Sequence, residues 1–300
     1  MIACQMEPPF SVSTYVNVFR AHIEYNPALG IIERTTKAIG SKPHILRGLK
    51  IALLFLVGVI ARATTIVAVR TPTEVSIAAD SLATLVGADG KVTTNDVCKI
   101  YSQGNVFIGV AGLANSSDDV ARFSVSEIAF SAMRSEQTLS GKMDAAVKAI
   151  QSEVAPEMSK IRSARPADFA TISDPEKGFM AIMLIGIEDG VPVGIAQKFQ
   201  VAVDSKNVQV VPSERLACPG ADCPIGFYVF SMGQTEEMMK YMAAPHPTFA
   251  TPADLARTLV QVEIDARAPS VGPPVDVVRV TTQGTELKTK AGCPIEIRPK

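Results

Sequence analysis

Two threonines, Thr64 and Thr65, stand directly behind an apolar run that ends in Ala61-Arg62-Ala63. A short apolar run followed by A-x-A is the pattern a signal peptidase cuts. A cut after Ala63 turns Thr64 into a new N-terminus. A threonine with a free α-amine carries its own general base, which makes its hydroxyl a nucleophile. The chemistry these residues predict is nucleophilic attack by the Thr64 hydroxyl, unmasked by opening the Ala63–Thr64 bond. Thr65, next along an extended strand, is predicted to point to the opposite face.

The stretch in front of the threonines has to deliver that cut. Arg47 and Lys50 supply a positive flank and residues 51–60 the apolar segment. That segment is about half of the ~20 residues a membrane-spanning helix needs, so membrane contact is expected only through the signal segment. The other reading of residues 51–60 is a buried strand of an intracellular domain, since short apolar runs are ambiguous by periodicity. Residues 1–45 hold Pro8-Pro9 and scattered charges without clean periodicity. Signal peptides begin at the chain start, so the natural start is expected near Leu46. The predicted organisation is an unassigned extension over 1–45, a signal peptide or propeptide over 46–63, and one domain over 64–300.

Composition narrows the function. The chain has a formal net charge of -1 and 20% charged residues, which argues against nucleic acid as a partner. Trp is absent and aromatics make up 6%, too few for a carbohydrate-stacking or base-stacking surface. Hydrophobic residues reach 47%, enough for a sizeable core. Of the 5 cysteines, Cys4 precedes the cut and Cys98, Cys218, Cys223 and Cys293 follow it. An even set in an exported domain permits disulfides, with three connectivities. Cys218 and Cys223 flank a turn-like Pro-Gly-Ala-Asp loop and form the preferred pair, leaving Cys98 with Cys293. Their spacing is not that of a zinc site and no His is near, so no metal or other cofactor is expected.

Behind the cut, residues 64–70 and 75–80 read as a hairpin ending at Asp80, followed by a Gly/Asp-rich loop over 87–90. Residues 97–101 and 105–111 read as two more strands. A helix is predicted to about Arg134, with Asp118-Asp119 in its first turn, and a second over 141–161. Strands follow over 179–187, 193–203, 208–212 and 227–232. A helix to Met242 and one over 252–267, capped by Thr251, come next, and 275–281 reads as a closing strand. Two antiparallel sheets packed face to face with helices outside satisfy this order.

The stretches TTIVAVRTPTEVSIAADSLAT and VCKIYSQGNVFIGVAGLA resemble the N-terminal third of proteasome β-subunits and of the bacterial HslV protease. The likeness is good over residues 64–122. It is looser through 179–187 and DLARTLVQVEIDARAPSVGPPVDVVRV. Those proteins are N-terminal-nucleophile (Ntn) hydrolases, so the resemblance implies an α+β fold, a four-layer αββα sandwich of two antiparallel sheets, and a threonine-peptidase site. It matches Thr64 to the nucleophile, Asp80 to the acid closing the second strand, Lys99 to the lysine beside the nucleophile, and Gly112 to the oxyanion-hole glycine. An ammonium near a hydroxyl favours its alkoxide-like form, and the acid holds the ammonium charged and oriented. Family members assemble as rings, so a homo-oligomer is implied.

The chain departs from the family in the supporting residues. Where the family has a Gly-Ser-Gly-Ser-like segment with a catalytic serine, this chain has Phe230-Ser231-Met232-Gly233-Gln234. By register, Met232 or Gln234 replaces that serine and Ser231 is a near neighbour. The family's acid before a Ser-Gly-Gly segment falls here on Arg267, with Asp265 two positions earlier and Ser270 ahead of Val271-Gly272. Ser231, Asp265 and Ser270 are thus the candidate supporting residues. Ala63 stands where proteasome-type self-cleavage favours Gly, which points to a signal peptidase and an exported, periplasmic or extracellular protein. The alternative is a cytoplasmic peptidase that removes its own propeptide.

The leading reading is an N-terminal-threonine amide hydrolase of the peptidase type, acting on peptides or unfolded chains. The alternatives are a non-catalytic, ring-forming or peptide-binding relative, and an amidase for small amides.

Overall fold

The computed structural model describes residues 64–300 except 87–91, 118, 175–178, 205–206, 221–222, 224–225, 246–247, 269–270, 289–292, 294 and 297–300. The extension, the leader, Ala63 and Ser270 lie outside the described residues.

Strand β1 (Thr65–Arg70) reads TIVAVR, and every residue in it is buried. β-Branched residues suit a pleated surface covered on both sides. It pairs antiparallel with β2 (Glu74–Asp80) on one side and with β12 (Tyr228–Gly233) on the other. With β13 (Val275–Thr281) and β14 (Gly284–Lys288) these make a sheet of order β12-β1-β2-β13-β14.

The second sheet has the order β11-β10-β9-β6-β5-β15. Its strands are β5 (Ile100–Gln103), β6 (Val106–Gly112), β9 (Met180–Glu188), β10 (Val191–Val203), β11 (Val208–Cys218) and β15 (Ile295–Glu296). All of its pairings are antiparallel except β15, which lies parallel to β5.

The faces explain the layering. Ile66, Ala68, Ile77 and Ala79 pack between the sheets against Phe107, Met183, Ile185 and Phe230. A Cβ on Gly109 would meet Ile77 Cδ1 at 3.0 Å, so the sheets approach closely there. Val67, Val69 and Ala78, on the other face, pack under α4 (Glu236–Ala243) and α5 (Pro252–Asp265). The outer face of the second sheet is covered by α1 (Val125–Met133), α2 (Leu139–Ala164) and α3 (Pro166–Ile172). In α2, Leu139, Met143, Ala146, Ile150, Val154, Met158 and Ile161 recur at helical spacing, and all are buried. The layers therefore run helices, sheet, sheet, helices: a four-layer αββα sandwich.

Several element boundaries differ from the sequence reading. The first helix starts at Val125, because Ser124 is its cap and accepts from Glu127 N–H. Residues ahead of it form a small hairpin of β7 (Asn115–Ser117) and β8 (Arg122–Ser124), so Asp119 is not in a helical first turn. The Gly/Asp-rich loop joins two further strands, β3 (Leu82–Val86) and β4 (Val92–Asp96). β5 begins only at Ile100, β11 extends to Cys218, and β14 follows the strand read as closing. Among the described residues, no helix is long and apolar enough to cross a membrane.

Candidate active site

The site forms where β1 begins and β2 ends. β2 delivers Asp80 at its last residue, fully buried. Lys99 comes from the irregular segment before β5 and is 6% exposed. Its Nζ donates to Asp80 Oδ1 at 2.7 Å and to Oδ2 at 2.8 Å. Backbone donors complete the shell: Thr65 N–H reaches Oδ1 at 2.8 Å, and Leu82 N–H and Gly272 N–H reach Oδ2 at 3.2 Å each. A carboxylate buried this deeply is costly unless its oxygens are hydrogen-bonded, and all of these donors serve that end. One acid therefore ties together β2, the lysine segment, the turn before β13 and the residue after Thr64.

The two threonines are treated differently. Thr65 is fully buried, and its hydroxyl donates to the Gln234 carbonyl at 2.8 Å. With its N–H on Asp80, Thr65 is committed to structure. Thr64, 7% exposed, lies one residue ahead of the strand. Its carbonyl accepts from Gln234 N–H at 2.9 Å.

Gly233 makes this clamp fit. It pairs with Thr65, has φ 86°, and a Cβ there would lie 1.6 Å from the Thr64 carbonyl oxygen. Only glycine allows that approach. The β1–β12 register also decides which residue reaches the threonines. Val67 is opposite Ser231, and directly opposed residues share a face, so Ser231 lies on the helix side with Val67. Gln234, not Met232 or Ser231, is the residue at Thr64. Met232 instead sits in the inter-sheet core.

Gly112 ends β6 with φ 85°, and a Cβ there would meet the Phe179 carbonyl oxygen at 2.6 Å. Leu113 N–H donates to Phe179 O at 3.2 Å, which makes Gly112 and Met180 a non-hydrogen-bonded pair. The Gly112 N–H thus points away from β9, free of that ladder, as an oxyanion donor requires. Two residues earlier, Val110 N–H donates to the Lys99 carbonyl at 3.4 Å, joining this strand to the lysine segment.

The structure does not bring Asp265 to the site. It sits exposed at the end of α5, where it accepts from Gln261 Nε2 at 2.7 Å, because the helix turns that side outward. The acid that faces inward from α5 is Glu263, 1% exposed, which accepts from Met238 N–H at 2.8 Å at the start of α4. Burial pushes its carboxyl above the ordinary range, while the Met238 and Glu237 N–H groups pull it back. Sequence reasoning missed Gly233, which meets Thr64, and Gly272, which donates to Asp80. A glycine between an apolar strand and an acidic helix start was the signal available for Gly233.

The disulfides are Cys98–Cys293, with Cα atoms 5.7 Å apart, and Cys218–Cys223, at 5.3 Å. Among the described residues, no three His, Cys, Asp or Glu side chains are grouped to hold a metal ion.

No family model matches the chain, and no curated protein matches it. Among solved structures, eukaryotic HslV from Trypanosoma brucei aligns at 17% identity and TM-score 0.38, covering 72% of this chain and 99% of its own. Anbu from Hyphomicrobium sp. strain MC1 aligns at 16% identity and TM-score 0.38, covering 76% of this chain and 88% of its own.

Proposed function

We propose that this chain is an N-terminal-threonine amide hydrolase of the peptidase type, whose nucleophile Thr64 is exposed by cleavage after Ala63. The observation that carries this reading is the Asp80 carboxylate. It binds Lys99 on one side and the N–H next to Thr64 on the other. In the cleaved chain the Thr64 α-amine takes the hydroxyl proton as Oγ1 attacks the substrate carbonyl. The oxyanion that forms lies against the Gly112 N–H, a donor commonly worth about 2.7–4 kcal/mol of barrier. The α-ammonium returns its proton to the leaving amine as the C–N bond breaks, which leaves an ester on Thr64. Water then attacks the ester, the amine accepts its proton, and Thr64 Oγ1 leaves and is reprotonated. Lys99, held charged by Asp80, stabilises the alkoxide-like oxygen throughout.

Export fits the two cysteine pairs, since disulfides persist in oxidising compartments. Outside the cytoplasm the substrates would be peptides or already unfolded chains. A ring-shaped homo-oligomer is part of the proposal, on the family resemblance alone.

One observation favours a second reading. Gln234 stands at Thr64 where the family places a serine, so a non-catalytic, peptide-binding relative is the alternative. Assaying wild type beside Thr64→Ala on a peptide library separates the two. Hydrolysis confined to wild type supports the enzyme, and equal residual hydrolysis in both supports the binding protein.

A further inference from the structure

Lys99 is carried by residues 97–99, which belong to no strand. Two backbone bonds tie this segment inward: Val97 N–H donates to Ser81 O at 2.8 Å, and the Lys99 carbonyl accepts the 3.4 Å bond from Val110. On an extended chain neighbouring side chains point in opposite directions. Lys99 turns inward to Asp80, and Cys98 turns the other way to Cys293. Cys293 lies just ahead of β15, whose two residues pair with Tyr101 and Ser102 on β5. The C-terminal segment therefore reaches back across 195 positions and is bonded to the residue adjoining the lysine.

We propose that the Cys98–Cys293 disulfide is a positioning element for Lys99, so that the Thr64 site is competent only in the oxidised protein. The inference rests on the reading of Thr64 and Lys99 given above. Asp80 fixes the tip of the lysine, and the disulfide fixes the backbone rotation at its base. Without the cross-link the segment keeps the ion pair and its two backbone bonds, but the lysine's placement relative to Thr64 loosens. A misplacement of about 1 Å at a reacting group is enough to lower turnover roughly a hundredfold. The second disulfide is an internal control. Cys218–Cys223 spans 5 positions and is joined locally by the Gly220–Cys223 bridge.

Reduction by a dithiol is balanced: the protein disulfide takes two electrons and two protons and yields two thiols, and the dithiol becomes its own disulfide. The test uses the mature protein, its Cys98→Ala/Cys293→Ala and Cys218→Ala/Cys223→Ala variants, and a peptide substrate, all well below the unfolding temperature. The first variant is expected to lose roughly tenfold or more in kcat, with KM within about twofold and an altered pH–rate profile. The second variant keeps the wild-type profile. If the first variant does not fold, dithiol-reduced wild type with an unchanged circular dichroism spectrum takes its place. Loss on reduction and recovery on reoxidation then support the proposal. Wild-type kcat and pH profile in the Cys98/Cys293 variant, or in reduced wild type, overturn it while leaving Thr64 as nucleophile. If oxidised wild type does not hydrolyse and Thr64 takes up no electrophile, the reading of the site falls, and this proposal with it.

Discussion

The backbone N–H of Thr65 donates to Asp80 Oδ1 at 2.8 Å, so the acid that anchors Lys99 also anchors the start of β1 beside Thr64. This shared acceptor links stability and chemistry at one residue. Replacing Asp80 by Ala strips the acceptor from Lys99 Nζ and from the Thr65, Leu82 and Gly272 N–H groups at once. Breaking a buried ion pair by removing one partner typically costs about 3–5 kcal/mol. Replacing Lys99 by Met leaves the carboxylate with three backbone donors, so its thermal unfolding temperature should fall less than that of Asp80→Ala. Both variants should lose peptide hydrolysis by roughly a hundredfold or more, the scale of a lost proton-handling group. Calorimetry and initial rates on the three proteins check both orders.

Gly233 is predicted to accept no other residue. A side chain at φ 86° costs about 1–3 kcal/mol, and its Cβ would collide with the Thr64 carbonyl oxygen. Gly233→Ala should therefore open the end of the β1–β12 ladder. Amide exchange at Gln234, whose N–H holds Thr64 O, should accelerate well beyond that of Phe230 in mid-strand. Unchanged exchange at Gln234 would mean that the clamp is not tight.

Glu263 gives a pH-dependent prediction. Burial raises its folded-state pKa above the ordinary 4.5, so the native state holds this proton more tightly than the unfolded state. Its contribution to stability is then present in full below 4.5 and is lost as pH rises through the folded pKa. Glu263→Gln keeps an acceptor for Met238 N–H and removes the buried charge. Its unfolding temperature should match wild type at acidic pH and exceed it above neutrality. Parallel scans across pH measure the gap, and a gap of the opposite sign would contradict the assignment.

Much of this was readable before any coordinates. The hairpin ending at Asp80 and the Thr251-capped helix are local patterns, whereas Lys99 was singled out by the family resemblance. Each local pattern depends on alternation or on a cap within a few residues. What was missed depends on distant parts of the chain. The collision at Gly233 and the bonds from Gln234 join residues 169 or more positions apart. Nothing near Gly233 in sequence reports them. Asp118-Asp119 imitated a helix start, whereas the cap is Ser124, and only the β7–β8 pairing separates the two. Asp265 was read from its place two positions before Arg267, whereas helix phase exposes Asp265 and buries Glu263.

The most direct test of the central claim is peptide mapping by mass spectrometry after treating the mature protein with a threonine-reactive β-lactone. The account predicts a chain that begins at Thr64 and carries a single adduct on that residue. Thr65→Val should label as wild type does, since the Thr65 hydroxyl is already spent on Gln234, and Thr64→Ala should not label. A chain that begins at Thr64 yet takes up no adduct, or carries it on Thr65, would contradict the account.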